Sequence, residues 1–419
     1  MKTIRHDSFA AYVLPSVLAF ALSGLYTIVD GFFIGQSLGD LGLAAITLAY
    51  PAAALLQAVG TGIGLAGAIR CTILQARGEE QTPRTCFSGT VLLLLATSAA
   101  FAAVLLGLPG PVLTVLGAQD EARPLAAEYI RVIAYGTAFQ ILATGLVPFI
   151  RNLGGSAFAM VAMDYLFVWE FHWGMAGGAW ATVIGQAATM LLAIGYLVRR
   201  RVGFVPPKAG EVLPLWGALL KVAAAPIGLT FSPNITLMVM NHFLLRYGGA
   251  LAIAVYGCID YVLSTIYMLL QGVGDGSQPL ISRAYGAGDF GELRHTGARA
   301  YRAAFVITAV CIVALFLTRS VIGVLFGASA EANAGVTARL PLLAYTRVTI
   351  AYFYATEKTA LSYVLVFSEP VLTFAVLLIL PQLLKLTGVW LAIPAAQALT
   401  FCIAVPARRR TQRARELPT

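Results

Sequence analysis

Apolar stretches long enough to cross a bilayer recur along the whole chain, and they constrain its fold more than any short motif does. They run over residues 10–34, 43–69, 86–108, 124–149, 157–171, 176–198, 214–241, 250–280, 298–326, 332–356, 359–380 and 386–406. About 20 residues cross the hydrocarbon core as a helix, whereas barrel strands alternate every second residue over about 10. The pattern therefore predicts an all-α polytopic membrane protein with about 12 spans. The fifth stretch, Ala157 to Phe171, is the shortest and falls below the usual length of roughly 17–25 residues. Composition agrees. Of 419 residues, 11% are charged and 59% hydrophobic. A soluble domain carries about 25% charged residues. Too few polar side chains exist here to coat a water-facing surface, which argues against a soluble enzyme, a disordered regulator and a nucleic-acid binder.

The net charge is +9, and its placement reads as topology. Basic residues collect in alternate loops: Lys2 and Arg5; Arg70, Arg77 and Arg84; Arg199, Arg200, Arg201 and Lys208; Arg283, Arg294, Arg299 and Arg302; and Arg408, Arg409 and Arg410 in the tail. The intervening loops hold few, such as Arg123, Arg246 and Lys385. Lys and Arg favour the cytoplasmic side. The expectation is a multi-pass protein of the plasma (inner) membrane with both termini cytoplasmic. Membrane lipid is an expected partner and nucleic acid is not. The basic tail is a topology determinant able to touch anionic lipid.

The two halves repeat one another with an offset of about 210 residues. Gly39, Leu41, Gly62, Gly64 and Gly78 fall on Gly249, Leu251, Gly272, Gly274 and Gly288. Later, Gly177, Gln186, Thr189 and Arg199 fall on Gly388, Gln397, Thr400 and Arg410. Six spans per half is an even number, so both halves insert the same way up around a pseudo-twofold along the membrane normal, with a midplane cavity between the lobes. The division expected is an N-lobe over 1–198, a cytoplasmic linker over 199–213, a C-lobe over 214–407 and a basic tail over 408–419. Duplicated lobes suit transport, since two bundles can open a cavity to either side in turn.

Acids inside apolar stretches are costly, by at least about 2.5–3.5 kcal/mol on insertion scales, and usually face a cavity or a partner. Asp30 lies in LSGLYTIVDGFFIG with no basic residue within a helical turn. It is either a coupling carboxylate or a solvated acid near the outer helix end. Asp164, in AMVAMDYLFVWEF, is either a second carboxylate of the same cavity or a wet interfacial residue. Asp260 and Glu369 belong to the second half, where structural pairing competes with coupling. Asp275, in QGVGDGSQP, reads as a turn or helix-end residue. Arg131 and Arg347 lie near span starts, where snorkelling or pairing is the default. The glycines at 62, 64, 272 and 274 are not nucleotide loops, as no strand precedes them and no Lys-Ser/Thr follows. They permit close helix packing or bending. No Walker motif, HExxH or DDxxD occurs, and the five cysteines form no CxxC pair. An enzyme, a resident metal and a bound cofactor are not expected.

VDGFFIGQSLGDLGLAAITLAYP (29–51), GMAGGAWATVIGQ (174–186), QGVGDGSQPLISRAYGAGD (271–289) and LTGVWLAIPAAQ (386–397) resemble the multidrug and toxic compound extrusion (MATE) family, in its branch with the QPLIS signature. The resemblance implies two six-helix lobes and export of amphipathic, often cationic compounds in exchange for H⁺ or Na⁺, by a monomer. It implies an N-lobe cation site of Asp30, Asp164 and Thr182, with Pro15 bending the first helix. The family's usual Asn four residues before the fifth-helix Asp is replaced by Met160. Na⁺ needs several oxygens and a proton needs one carboxylate, so this loss favours H⁺. The chain is also about a dozen residues shorter than the family pattern between Asn152 and Asp164, judged against the length needed to span. The wider superfamily contains flippases for lipid-linked precursors, which is the alternative reading. A flippase would want cationic residues such as Arg131 and Arg347 in the cavity to hold pyrophosphate.

Overall fold

The computed structural model describes the backbone of residues 9–79, 82–116, 122–153, 174–326 and 330–413. Within these it describes the side chains outside residues 23, 25–48, 122, 174–178, 181, 245, 250–251, 253–255, 257–262, 315, 318–326, 330–341 and 412–413. Among the described residues the regular structure is helical: α1 (Phe9–Ala76), α2 (Thr82–Gly107), α3 (Pro109–Val115), α4 (Ala122–Asn152), α5 (Gly174–Arg199), α6 (Ala209–Gly286), α7 (Phe290–Phe326), α8 (Ala330–Ala355) and α9 (Thr359–Arg413). Seven segments among them are long and apolar enough to cross a membrane, the longest being Thr359–Thr411. At about 20 residues per crossing, α1, α6 and α9 each hold two of the expected spans. The protein is an all-helical membrane protein. The fifth expected span, 157–171, lies outside the described residues.

The expected loop between the first two spans is helical instead, because α1 runs unbroken through it. The other two long helices are interrupted near the expected span ends. In α6 the break is Gly249, at φ 69° and ψ −168°, a backbone region essentially restricted to glycine. In α9 the break is Lys385, at φ 52° and ψ −129°. The short helix α3 is an addition to the expected pattern. Pro109 and Pro111 stand in its first turn, where a missing N–H costs nothing.

Four helix ends share one device. The amide of Glu79 reaches Leu74 O at 3.3 Å and that of Gly78 reaches Gln75 O at 3.1 Å, with Gly78 at φ +84°. This is a Schellman cap, which satisfies the orphan carbonyls of the last turn. Asp289 and Gly288 close α6 in the same way, with Gly288 at φ +71°. Gly78 and Gly288 are partners in the internal repeat. Arg201 caps α5 and Glu357 caps α8, both at φ 52°. All four caps fall in segments that sequence assigns to one side of the membrane.

The chain divides into two compact units, Met1–Ile227 with Ser282–Phe290 and Gly228–Ile281 with Gly291–Thr419. In the first unit α4 packs on α1, α2 and α5. A Cβ on Gly64 would strike the backbone of Gly145, so α1 and α4 approach as closely as two main chains can. Gln140 donates to Ala53 O at 3.0 Å and Asn152 to Ala68 O at 2.9 Å, tying α4 to α1 at both ends of that contact. The segment after α5 is pinned to α2: the Val205 amide donates to Ser88 Oγ at 2.7 Å and Trp216 Nε1 to Gly89 O at 3.0 Å. In the second unit, α8 meets α6 where a Cβ on Gly274 would lie 2.9 Å from Ala351 Cβ. The same small-residue contact thus recurs at Gly64 and at its repeat partner Gly274.

Candidate functional site

Pro15 is buried inside α1, and beside it Ser16 is fully buried with an Oγ that lacks a hydrogen-bond partner. Proline inside a helix removes one backbone hydrogen bond and kinks the rod. Asp30 lies on the α1 backbone, while its side chain is outside the described residues. Asp164 and Met160 are outside the described residues altogether. Thr182 is half-buried on α5, a helix that packs on α4 and touches α1. One turn later on the same face, Gln186 is buried and its Oε1 has no partner. α5 is seated by Val183, which fills the space left by Gly136 on α4. The structure therefore brings α1 and Thr182's helix into one unit.

The second unit holds more polar groups at depth than sequence suggested. Asp260 lies on α6 with its side chain outside the described residues. Glu369 is buried and accepts a hydrogen bond from Gln397 Nε2 at 2.5 Å, joining the two spans of α9. Gln397 is the repeat partner of Gln186, and Thr189 and Thr400 likewise make the same bond to the carbonyl one turn back, each at 2.9 Å.

Asp275 corrects an expectation. It is not a helix-end turn residue but lies inside α6, 1% exposed, with Tyr354 Oη donating to it at 2.8 Å and Gln271 Nε2 at 3.2 Å. The Gly-Asp-Gly-Ser composition reads as a turn, yet α6 continues to Gly286, and the missing side chain of Gly274 lets α8 pack close over it. Arg347, two turns before Tyr354 on α8, is buried. Its Nη1 donates to Leu229 O at 3.3 Å and its guanidinium lies 4.6 Å from the Tyr267 ring centroid. Arg131 is exposed on α4. Tyr267, Gln271, Gly274 and Gln278 follow helical spacing, and that stripe was the sequence signal for this seam.

In the first half the corresponding position is apolar: Leu65 stands at the repeat position of Asp275 and is fully buried. The two halves share the small-residue contact and differ in the polarity of the residue beside it. Tyr354→Phe should remove one donor from a buried carboxylate and destabilise the fold by about 1.5–3 kcal/mol, the usual worth of a hydrogen bond to a charged group. Thermal unfolding in detergent checks this; an unchanged midpoint would mean that water replaces the hydroxyl.

Comparison with known proteins places this architecture. A family model described as MatE matches residues 15–170 and 226–360, once in each half. The chain belongs to the MatE family. The second match begins at Pro226, the buried repeat partner of Pro15. The multidrug export protein MepA of Staphylococcus aureus (strain MSSA476) is 25% identical over 330 residues, which cover 75% of this chain and 71% of that protein. Among solved structures, a MOP superfamily transporter from Pyrococcus furiosus, described as having a binding pocket of reversed polarity, superposes with a TM-score of 0.88 at 19% identity, covering 98% of this chain and 96% of that one. The MATE multidrug transporter DinF-BH, solved as a complex, gives a TM-score of 0.84 at 22% identity, with 100% of both chains covered. The fold is accordingly the two-lobe MATE fold of about twelve membrane helices.

Proposed function

We propose that the protein is a secondary active antiporter that exports amphipathic or cationic drugs and toxic compounds in exchange for H⁺ or Na⁺. The observation that carries the reading is the MatE match in both halves, together with the likeness to MepA, a multidrug export protein. The working parts of this proposal are an N-lobe over 1–198, a linker over 199–213, a C-lobe over 214–407 and a tail over 408–419. Cation uptake is assigned to Asp30, Asp164 and Thr182, with Pro15 bending the helix that carries Asp30, and with Asp260 and Glu369 as secondary acids. H⁺ is the favoured ion, because Met160 stands where a further oxygen would be needed for Na⁺. The protein acts as a monomer in the plasma (inner) membrane with both termini in the cytoplasm. It performs no covalent chemistry and holds no cofactor. The flippase alternative is not favoured, since it calls for Arg131 and Arg347 together in a cavity, whereas Arg131 is exposed on α4 and Arg347 is buried with Nη1 on a backbone carbonyl.

Coupling requires that the ion bind the outward- and inward-open states with different affinity. The test is efflux of a cationic dye from vesicles under an imposed pH or Na⁺ gradient. The expected result is dye movement driven by the pH gradient, with a smaller response to Na⁺. Dye movement indifferent to both gradients would reject antiport, and response to Na⁺ alone would reject the choice of H⁺.

A further inference from the structure

α1 and α2 run antiparallel, and their seam can be followed residue by residue. A Cβ on Gly67 would lie 2.4 Å from Thr90 Oγ1, so these two positions face each other directly. One helical turn closer to the connection between the helices, Gly67 gives way to Cys71 on α1 and Thr90 to Cys86 on α2. The thiols confirm this register. Cys71 Sγ donates to Pro83 O at 3.3 Å, and Cys86 Sγ is directed at Gly67 O at 4.0 Å. Each thiol therefore crosses to the main chain of the other helix, and the two lie within hydrogen-bonding reach of one another. Both are free thiols.

The surroundings fix this arrangement. Phe87 of α2 meets Phe149 of α4 edge-on, with ring centroids 5.0 Å apart. Both belong with Ala68 of α1 to one buried apolar cluster, against which Cys71 packs. Cys86 is 2% exposed, whereas Cys71 is only half-buried. A single buried thiol behaves as a small apolar group. Two thiols held face to face, one of them reachable, can do more: the reachable sulfur is oxidised and the other condenses with it to a disulfide. Sequence assigns this end of the pair, with Arg70, Arg77 and Arg84, to the cytoplasmic side. Thiols are kept reduced there and disulfides are transient, so the resting state is the dithiol.

We propose that Cys71 and Cys86 are an oxidative modification site, at which hydrogen peroxide converts the facing thiols into a disulfide that clips α1 to α2. In the first step the Cys71 thiolate attacks one peroxide oxygen and the O–O bond breaks. The leaving hydroxide takes up the thiol proton as water, and Cys71 becomes a sulfenic acid. In the second step the Cys86 thiolate attacks Cys71 Sγ and the S–O bond breaks. A second water leaves with the Cys86 proton. Two thiols have then lost two electrons, and one peroxide has gained them. A small thiol reverses the bond by exchange. The clip closes the short connection between α1 and α2, which restricts the unfolded chain.

The experiment uses the purified full-length protein in neutral detergent, first reduced and then treated with hydrogen peroxide. Remaining thiols are blocked, and tryptic peptides are read by mass spectrometry without reductant. Cleavage after Arg70, Arg77 and Arg84 puts the two cysteines on separate peptides. The expected result is a link between peptide 71–77 and the peptide beginning at Thr85, lost on adding dithiothreitol and absent from Cys86→Ser. In Cys86→Ser the sulfenic-acid trap dimedone should label Cys71 instead, a label that the wild type suppresses. The linked wild type should unfold at a higher temperature than the reduced protein, and Cys86→Ser should show no such shift. A Cys71 that peroxide leaves unmodified overturns the proposal, as does a Cys71 sulfenic acid that persists in the wild type without a link. So does a link from Cys71 to Cys311 or Cys402 in place of Cys86, or a lower unfolding temperature of the linked protein. Should Cys86→Ser fail to fold, Cys71→Ser keeps the test: the link should vanish and Cys86 should stay reduced, and oxidation of Cys86 in that variant overturns the assigned order of attack. The readout is a covalent link, so its failure is separate from any failure of the transport reading.

Discussion

Asp30→Asn is expected to abolish dye export driven by a pH gradient while leaving dye equilibration down its own gradient intact. The substitution keeps the size and the hydrogen-bonding reach of the side chain and removes only the ability to exchange a proton. An acid in an apolar run with no basic neighbour in its helical turn has little structural reason to be charged, so under the proposed antiport what it contributes is a difference between two states of the cycle. Coupling free energies between sites are typically about 1–3 kcal/mol, which corresponds to about 5–150-fold. Gradient-driven export should therefore fall by at least about fivefold. Export in Asp30→Asn at the wild-type rate would remove Asp30 from the coupling step. Loss of passive equilibration as well would mean that the substitution damaged the fold, and unfolding temperatures of both proteins in the same detergent separate these outcomes. Thr182→Val, on α5, tests the proposed site through a second residue. If a proton is the coupling ion, losing this hydroxyl should cost far less than losing the acid.

The spans are legible because hydrocarbon imposes a length and a composition on each of them, so the constant spacing of Gly78 and Gly288 already marks them as ends of equivalent helices. Pairing within the seams is not legible. Asp275 stands in a string that reads as a turn, yet it lies inside α6 with α8 packed close at Ala351. Local composition cannot report a distant helix that lends its Tyr354 hydroxyl. Arg408 is the same lesson in reverse. The sequence shows three equal arginines, and the structure separates one inside an aromatic cage from two in the open. Charge counting sets the side of the membrane, but it does not show which of the charges is buried. The candidate N-lobe site is readable only through family resemblance, since a lone Asp in an apolar run names no partner.

Gly64→Ala is expected to be among the most destabilising single-methyl changes in the protein. The added Cβ would meet the carbonyl oxygen, Cα and carbonyl carbon of Gly145, with no flexible side chain among the three. Backbone cannot rotate aside, so α1 and α4 must separate along the contact held by Gln140 and Asn152. Overpacking a tight interior costs about 1–3 kcal/mol and occasionally more, and a clash against main chain belongs at or beyond the top of that range. The repeat supplies its own comparison. Gly274→Ala meets the Ala351 methyl at 2.9 Å and the Tyr354 hydroxyl at an ordinary 3.8 Å, so α6 and α8 must part by less than α1 and α4 do, and its cost should fall within the range of about 1–3 kcal/mol. Gly195→Ala on α5 meets nothing within 4 Å and should gain up to about 1 kcal/mol from helix propensity. Cys86 is buried and free beside this contact, its Sγ directed at Gly67 O, so a thiol-reactive fluorophore reports the opening of this unit on heating. The order expected is Gly64→Ala lowest, then Gly274→Ala, then wild type, then Gly195→Ala. Gly64→Ala unfolding at the wild-type temperature would mean that α1 and α4 are not in main-chain contact. The close approach would then cease to explain why glycine stands at corresponding places in both halves.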